Sequence, residues 1–232
     1  MMPRLSKRAK RIADKCAPDK TYAPAEAFGL LRECSEVKFG ESVDVSINLG
    51  VDARKGDQMV RGAASLPHGL GRKVRVAVFA QGDKAAEAEK AGADAVGLDD
   101  LIERARKGDF DYDAVVAAPD AMPAVGKIGQ VLGPRGLMPN LKDGTVTAEV
   151  AAAVESIRKG RARYRIDKGG IVHCSIGRLD FKDSQLEENL GALIADLVRN
   201  KPSAAKGVFL QKVTVSSTMG PGLKIDRGAF GD

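Results

Sequence analysis

The sequence predicts two domains of different class. Residues 1–67 plus 160–232 read as one discontinuous α+β domain with an antiparallel sheet, and residues 68–159 as an inserted Rossmann-like, three-layer α/β domain with a parallel sheet. Three observations carry this reading. From Ser42 to Leu49, Val43, Val45, Ile47 and Leu49 alternate strictly with Ser42, Asp44, Ser46 and Asn48, the pattern of a strand with one buried and one polar face. From Val74 onward, continuous apolar strands alternate with helices, the pattern of a parallel sheet covered on its faces. The two ends share a texture of helix plus alternating strands that the middle lacks, and neither end alone has a closed set of strands with which to bury its helix.

Taken in order, the first twenty residues, MMPRLSKRAKRIADKCAPDK, hold seven basic and two acidic side chains. They fit a short helix from Ser6 to Cys16 stopped by Pro18, with Arg4, Lys7, Arg8, Lys10, Arg11 and Lys15 around most of its circumference, and they also fit a disordered basic tail. A second helix begins at Pro24, a favoured first-turn position, and runs to about Ser35 with Ala27, Phe28, Leu31 and Cys34 on its core face. After the strand at 42–49, residues 52–60 form a polar connection and 61–66 a short strand. Pro67-His68-Gly69-Leu70-Gly71 then marks a turn or hinge at the edge of the inserted domain.

Within that domain VRVAVF, KAAEAEKAG, ADAVGL, DDLIERARKG, YDAVVAA, DAMPAVGKIGQVL and AEVAAAVESIRKG alternate as strand and helix, closing on a final helix. Ahead of that helix lies IGQVLGPRGLMPNLKDGTVT, residues 128–147, whose Gly-Pro-Arg-Gly cannot continue as helix. A phosphate cradle, an RNA-contacting finger and a tight connection all fit such a loop. Past Gly160, RARYRI sets Arg161, Arg163 and Arg165 on one strand face, and Asp167-Lys168-Gly169-Gly170 turns it into IVHCSI as a β-hairpin. Residues 183–199 form a long amphipathic helix striped by Leu186, Leu190, Leu193, Ile194 and Leu197, with Pro202 past its end. FLQKVTVSS is the last strand, and Thr218-Met219-Gly220-Pro221 follows it.

Composition narrows the chemistry. Aromatic residues make up only 4% of 232 and Trp is absent, so the cores are built from Ala, Val, Leu and Ile. Cys16, Cys34 and Cys174 are odd in number and without CxxC spacing, which supports neither a disulfide framework nor a zinc site and suits small buried hydrophobes. No run has the length of a membrane span, and the charged start lacks the apolar core of a signal peptide, so a cytoplasmic chain is expected. Charge is unevenly placed. Residues 68–159 hold 13 Lys/Arg against 14 Asp/Glu, whereas residues 1–67 hold 12 against 9 and residues 160–232 hold 12 against 8. A basic excess confined to the ends attracts polyanions, above all nucleic-acid phosphates.

Enzymatic chemistry is poorly supported. The inserted domain holds neither GxxxxGK[ST] nor a GxGxxG between strand and helix, and residues 128–147 leave a helix rather than a strand, which weakens the alternative of a nucleotide-binding enzyme or sensor. His68 sits in the hinge and His173 on a strand, with no Ser or Cys nucleophile motif nearby; His173 suits a hydrogen-bonded structural or RNA-facing role. Asp99, Asp100, Asp111 and Asp113 stand at helix starts and strand entries, where carboxylates cap and solvate. The polar faces of 42–48, 161–165 and 212–216 carry Ser, Asn, Arg, Lys and Thr, which donate to phosphates and ribose hydroxyls. Phe39 at the entry to the first strand and Met219 at the exit of the last either plug the sheet end or offer a flat apolar surface; spacing alone favours plugging.

IGQVLGPRGLMPN followed by GTVT, together with LPHGLG, VVAAPDAM, the DKxG turn and the closing TMGP, resembles the family of bacterial large-subunit ribosomal protein L-one, the protein of the mobile stalk, over nearly the whole chain. The resemblance implies a non-enzymatic constituent of the large subunit in the cytoplasm, monomeric when free and without cofactor or metal. It implies binding to large-subunit ribosomal RNA, help in moving and releasing exit-site tRNA, and repression of the chain's own operon mRNA. By matching motifs it implies RNA contacts from Glu26, Lys38, Phe39, Ser42, Asp167, Lys168, His173, Thr218, Met219 and Gly220, which reverses the plugging preference for Phe39. Arg163 and Arg165 add salt-sensitive attraction, and Arg135 and Lys142 are available for secondary contact with RNA or tRNA. Leu141, Ile166 and Met59 depart from the family's usual Pro, Asn and Asn.

Overall fold

The computed structural model describes residues 6–17, 20–141 and 143–230, and in it the chain divides into two compact units, Met1–Gly71 with Ala162–Asp232 and Arg72–Arg161. Pro18, the expected helix stop, lies outside the described residues. Each unit has its own hydrophobic core, one gathered around Phe28, Ile47 and Leu190, the other around Phe79, Val116 and Leu132. The class is mixed α/β.

The terminal unit is built on β2 (Ser42–Leu49), whose alternating burial follows its sequence alternation residue for residue. It pairs antiparallel on one side with β8 (Ile171–Arg178) and on the other with β9 (Leu210–Ser217). β10 (Gly222–Ile225) runs antiparallel to β9, and β1 (Thr21–Tyr22) adds a parallel edge, giving the order β1-β10-β9-β2-β8. The inward face is covered by α2 (Pro24–Cys34), with Phe28 and Leu31 fully buried, and by α8 (Asp183–Arg199), whose predicted stripe is buried throughout. α1 (Lys7–Lys15) buries no residue of its own. Its N-terminus is capped by Ser6 Oγ, which accepts from the Ala9 N–H, and it docks on α2 through Arg11 on Glu36 and Lys15 Nζ on the Glu33 carbonyl.

The expected β-hairpin over 161–176 is only partly formed. The turn is present, with the Asp167 N–H donating to Ile171 O at 2.9 Å and Gly170 at φ 78°. Beyond one bridge between Ile166 and Val172 the strands part: β8 joins β2, while β7 (Arg161–Arg165) forms a separate two-stranded sheet with β3 (Arg61–Ser65). Tyr164 anchors β7 on this side. Its hydroxyl donates to Asp196 on α8 at 2.7 Å, and the ring needs the open space beside Gly62, where an added Cβ would come 2.6 Å from the Tyr164 oxygen. Only the glycine of β3 admits it that closely.

The inserted unit holds a parallel sheet ordered β5-β4-β6, from β4 (Val76–Phe79), β5 (Ala95–Gly97) and β6 (Ala114–Ala117), with β4 and β6 buried on both faces. The chain moves outward from β4 to β5 through α3 (Asp83–Lys90) and back across to β6 through α4 (Asp99–Lys107). Right-handed crossovers in opposite directions put these helices on opposite faces, which makes three layers. The helix expected over 120–132 is broken into a 3₁₀ turn at Pro119–Ala121, α5 (Met122–Gly126) and α6 (Gly129–Leu132) by its own proline and glycines. α7 (Val150–Arg158) closes the unit. Of the three readings of residues 128–147, the structure shows a tight connection: Val146 bridges Ala117 as a short extension of the parallel sheet, and Thr145 Oγ1 accepts from the Asn140 N–H at 2.8 Å.

Asn189 is fully buried on α8 and receives the His68 N–H while donating to the carbonyls of Gly69 and Ile176. Asn189→Ala is therefore expected to lower unfolding free energy by about 2–4 kcal/mol in urea titration, because two buried carbonyls and the half-buried His68 N–H lose their partner. Limited proteolysis is expected to cut near Gly71 and Arg161 and leave a resistant fragment close to 72–161. Cleavage spread evenly along the chain would contradict the division.

Candidate nucleic-acid interface

The N-terminal end of β2 gathers several of the expected contact residues. The Thr218 N–H donates to Ser42 O at 3.1 Å, the Ser42 N–H donates to Thr218 Oγ1 at 3.0 Å, and the two hydroxyls lie 3.1 Å apart. β9 ends here at Ser217, opposite Val43, so residues 218–220 leave the sheet beside the start of β2. Phe39 and Met219 flank this point at 55% and 51% exposure. The plugging that spacing favours is therefore wrong; two large apolar side chains stand open at one sheet end, and Lys38 is exposed next to Phe39.

A second group lies further along the same strand. Asp167 Oδ1 accepts from the N–H groups of Gly169 and Ile171 at 2.8 and 2.9 Å, and its Oδ2 faces His173 Nε2 at 3.6 Å. The Ile171 N–H above all, then Gly169 and His173, holds the Asp167 carboxyl below its usual range, so it is an ionised acceptor at neutral pH. His173 Nδ1 is 3.1 Å from Ser46 Oγ, which fixes the ring across the register pair Ser46–His173. Ser42 and Ser46 are four residues apart on one face of β2, which separates the two groups by about 13 Å. Between them, cross-strand pairing lines up Thr21, Lys224, Thr214, Ser46 and His173 in one polar row over all five strands.

Other expected residues lie elsewhere. Glu26 sits in the first turn of α2, its carboxylate on Lys20 Nζ at 2.7 Å. Cross-strand pairing sets Tyr22, just before that turn, level with Ile225, Val213 and Ile47, away from the Ser42 end. Arg163 and Arg165 are exposed on β7, outside the five-stranded sheet, and Lys168 is exposed at the turn that follows. Arg135, in the inserted unit, is exposed but donates to the Phe110 carbonyl at 3.1 Å; Lys142 lies outside the described residues. Of the three departures from the family pattern, Leu141 and Met59 are exposed and Ile166 is buried.

Two polar residues here escape a reading of the sequence. Glu41 is a carboxylic side chain at 1% exposure, with Oε1 accepting from the Met219 N–H at 2.8 Å and Oε2 from the Ser217 hydroxyl at 3.3 Å. Arg8 donates to the Met219 carbonyl from α1. Nothing in its local pattern separates Glu41 from other acids that flank strands.

Competing chemistries find little support. At the C-terminal ends of β4 and β6, where a parallel sheet of this kind binds nucleotides, the crevice between Gln81, Lys84 and Asp120 has a volume of about 180 Å³. Ligand sites commonly run from about 300 Å³ upward, and Lys84 is held by Asp120 at 2.6 Å. Asp111 and Asp113 both pair with Arg75 at the start of β4, and His68 pairs with Glu188 at 2.7 Å. Among the described residues no group of three His, Cys, Asp or Glu is placed to hold a metal, and no helix is long and apolar enough to cross a membrane. The three cysteines are buried, as expected, and burial pushes the thiols of Cys16 and Cys174 up to about 11 and about 12. Their separation in sequence hides one contact: Cys16 Sγ and Cys34 Sγ meet at 3.8 Å between α1 and α2.

Residues 31–221 match the Ribosomal protein L1p/L10e family. Over 231 residues, all of both chains, the sequence is 58% identical to the large ribosomal subunit protein uL1 of Coxiella burnetii (strain RSA 331 / Henzerling II). It is 60% identical over 229 residues, 99% of each chain, to the protein of the same name from Methylococcus capsulatus, and 58% identical over 229 residues, again 99% of each, to that from Thioalkalivibrio sulfidiphilus. With its two units, its match over most of its length and relatives this close across the whole of it, the chain belongs to the Ribosomal protein L1p/L10e family.

Proposed function

We propose that this chain, a constituent of the large ribosomal subunit, holds a segment of ribosomal RNA against the Ser42 end and the open polar face of its five-stranded sheet. The observation that carries the reading is the exposure of Phe39 and Met219 together, on either side of the Ser42–Thr218 hydrogen bonds, in the unit whose two segments hold the basic excess. Apolar side chains of that size on a sheet end pack against riboses and bases, while serine and threonine hydroxyls reach the backbone. Asp44 and Asp167 on this face repel phosphates but accept from ribose 2′-hydroxyls, which favours RNA over DNA. Lys38, Arg163, Arg165 and Lys168 supply attraction that salt screens.

The inserted unit takes a secondary part in this proposal. Its charge is nearly balanced, and Arg135 is its exposed cation on the Gly-rich connection. The family resemblance extends the reading to exit-site tRNA, whose movement and release the chain assists, and to its own operon mRNA, which it represses by offering the same surface to a similar RNA fold. The free chain acts as a monomer.

In filter-binding or gel-shift titrations with a large-subunit stalk RNA fragment, Phe39→Ala and Met219→Ala are each expected to cost about 1–3 kcal/mol, the range for a lost stacking or packing contact. An all-DNA copy of the fragment is expected to bind more weakly at the same salt. Unchanged affinity in both alanine variants would remove this sheet end from the interface. Arg135→Ala is expected to leave affinity for the isolated fragment unchanged, and a large loss would move the primary contact to the inserted unit.

A further inference from the structure

Residues 218–220 are held in place from beneath by groups that RNA never needs to touch. Glu41, at the threshold of β2, turns its carboxylate inward, so that a charge-bearing group sits at 1% exposure in a unit otherwise cored by Val, Ile and Leu. An ionised carboxylate in such surroundings is unfavourable unless it is satisfied by strong donors. Its donors are the Met219 N–H and the Ser217 hydroxyl, one on each of two residues that bracket Thr218. The peptide on the other side of Met219 is gripped as well, by the Arg8 guanidinium on its carbonyl. Gly220 completes the arrangement: a Cβ there would stand 2.4 Å from Ser217 Oγ, so a larger residue would push that hydroxyl off Glu41.

We infer that Glu41 is a positioning residue for the RNA contact: its buried carboxylate fixes the backbone of Ser217–Met219 so that the Met219 side chain faces outward in its binding arrangement. The inference rests on the proposed RNA site at this sheet end. Its physical basis is preorganisation. A three-residue exit from a strand is free to adopt many conformations, and fixing them during folding removes that ordering cost from the binding step. Gly220 on this account is required for room rather than for a contact of its own.

The test uses the full chain and the same stalk RNA fragment. Glu41→Met fills the space with an apolar side chain of similar length and is expected to fold with a melting temperature close to that of the parent. It is expected to weaken RNA binding about tenfold or more, the loss of a charge-assisted hydrogen bond that organises the contact. Glu41→Gln keeps an acceptor for the Met219 N–H, lets the Ser217 hydroxyl reverse, and is expected to restore affinity to within about threefold. Because Glu41 acts through Met219, Glu41→Met is expected to add little loss in a Met219→Ala background. In the parent protein the Met219 amide is expected to be protected from hydrogen exchange although its side chain is exposed, and Glu41→Met is expected to release that protection alone.

Parent-like binding by Glu41→Met, an equal loss in both backgrounds, or an unprotected Met219 amide in the parent would each overturn the inference while leaving the RNA site standing. Unchanged affinity in Met219→Ala would instead overturn the site, and the inference with it. Should Glu41→Met fail to fold, the exchange measurement on the parent and the Glu41→Gln titration still decide: a protected amide and near-parent affinity support the clamp, and the absence of either sinks it.

Discussion

The terminal unit depends on one constraint, the demand that β2 bury one face and expose the other. Side chains on a strand alternate with a period of two, so a strand that holds Val43, Val45, Ile47 and Leu49 inward must hold Ser42, Asp44, Ser46 and Asn48 outward. A slip by one residue would reverse every position and place Asp44 in the core. Both neighbours obey the same register, β8 from the C-terminal segment on one side and β9 on the other. The two ends of the chain are thereby joined through a strand that belongs to only one of them. α2 and α8, which also come from opposite ends, have a common inner face to cover, and the outward residues of β2 on the opposite face are left half-buried.

That open face is polar without being uniformly basic. Lys212 and Lys224 stand on its inner strands β9 and β10 and arginines beyond it on β7, while β2 contributes hydroxyls and Asp44, and His173 and Asp167 stand on and beside the outer strand β8. Cations on and beside such a face raise the rate and affinity for any polyanion, and they lose effect as salt rises. In the proposed RNA complex, Asp167 would accept from a 2′-hydroxyl, which only a ribose offers. His173 ties the turn at 167–170 to the central strand, because its two ring nitrogens face Ser46 and Asp167.

Legibility of the fold tracked the length of each element. β2, α2 and α8 are long and periodic, and the structure places them within a residue or two of where their patterns begin and end. β1 and β10, of two and four residues, are too short for alternation to show and are set by pairing alone. The failed hairpin has a different origin: local turn chemistry at Asp167 and Gly170 was correct, but the partner of β7 is chosen by Gly62 and by Asp196, far away in sequence. At the candidate site the exposed residues were named from motifs, whereas Glu41, Arg8 and the Cys16–Cys34 contact were invisible. Each of these depends on a partner more than fifteen residues away, Cys34 being 18 from Cys16 and Met219 178 from Glu41.

The Gly-rich stretch at 128–147 shows why a distinctive sequence need not be the site of action. Its glycines answer to geometry: Gly133 has no room for a side chain against the Gly129 carbonyl, and Gly136 and Gly144 adopt positive φ at 69° and 61°. Thr145 is buried and spends its hydroxyl on Asn140, and Val146 closes onto β6. Asn140 and Thr145 are thus satisfied within the stretch itself. Such a segment tolerates few substitutions for reasons of folding alone, which makes it a strong identifier and a poor ligand cradle. The terminal unit reverses the relation. At 217–220 a short, unremarkable exit from a strand has its backbone held by a buried carboxylate and a guanidinium while the Met219 side chain stays exposed, an apolar group on a fixed backbone.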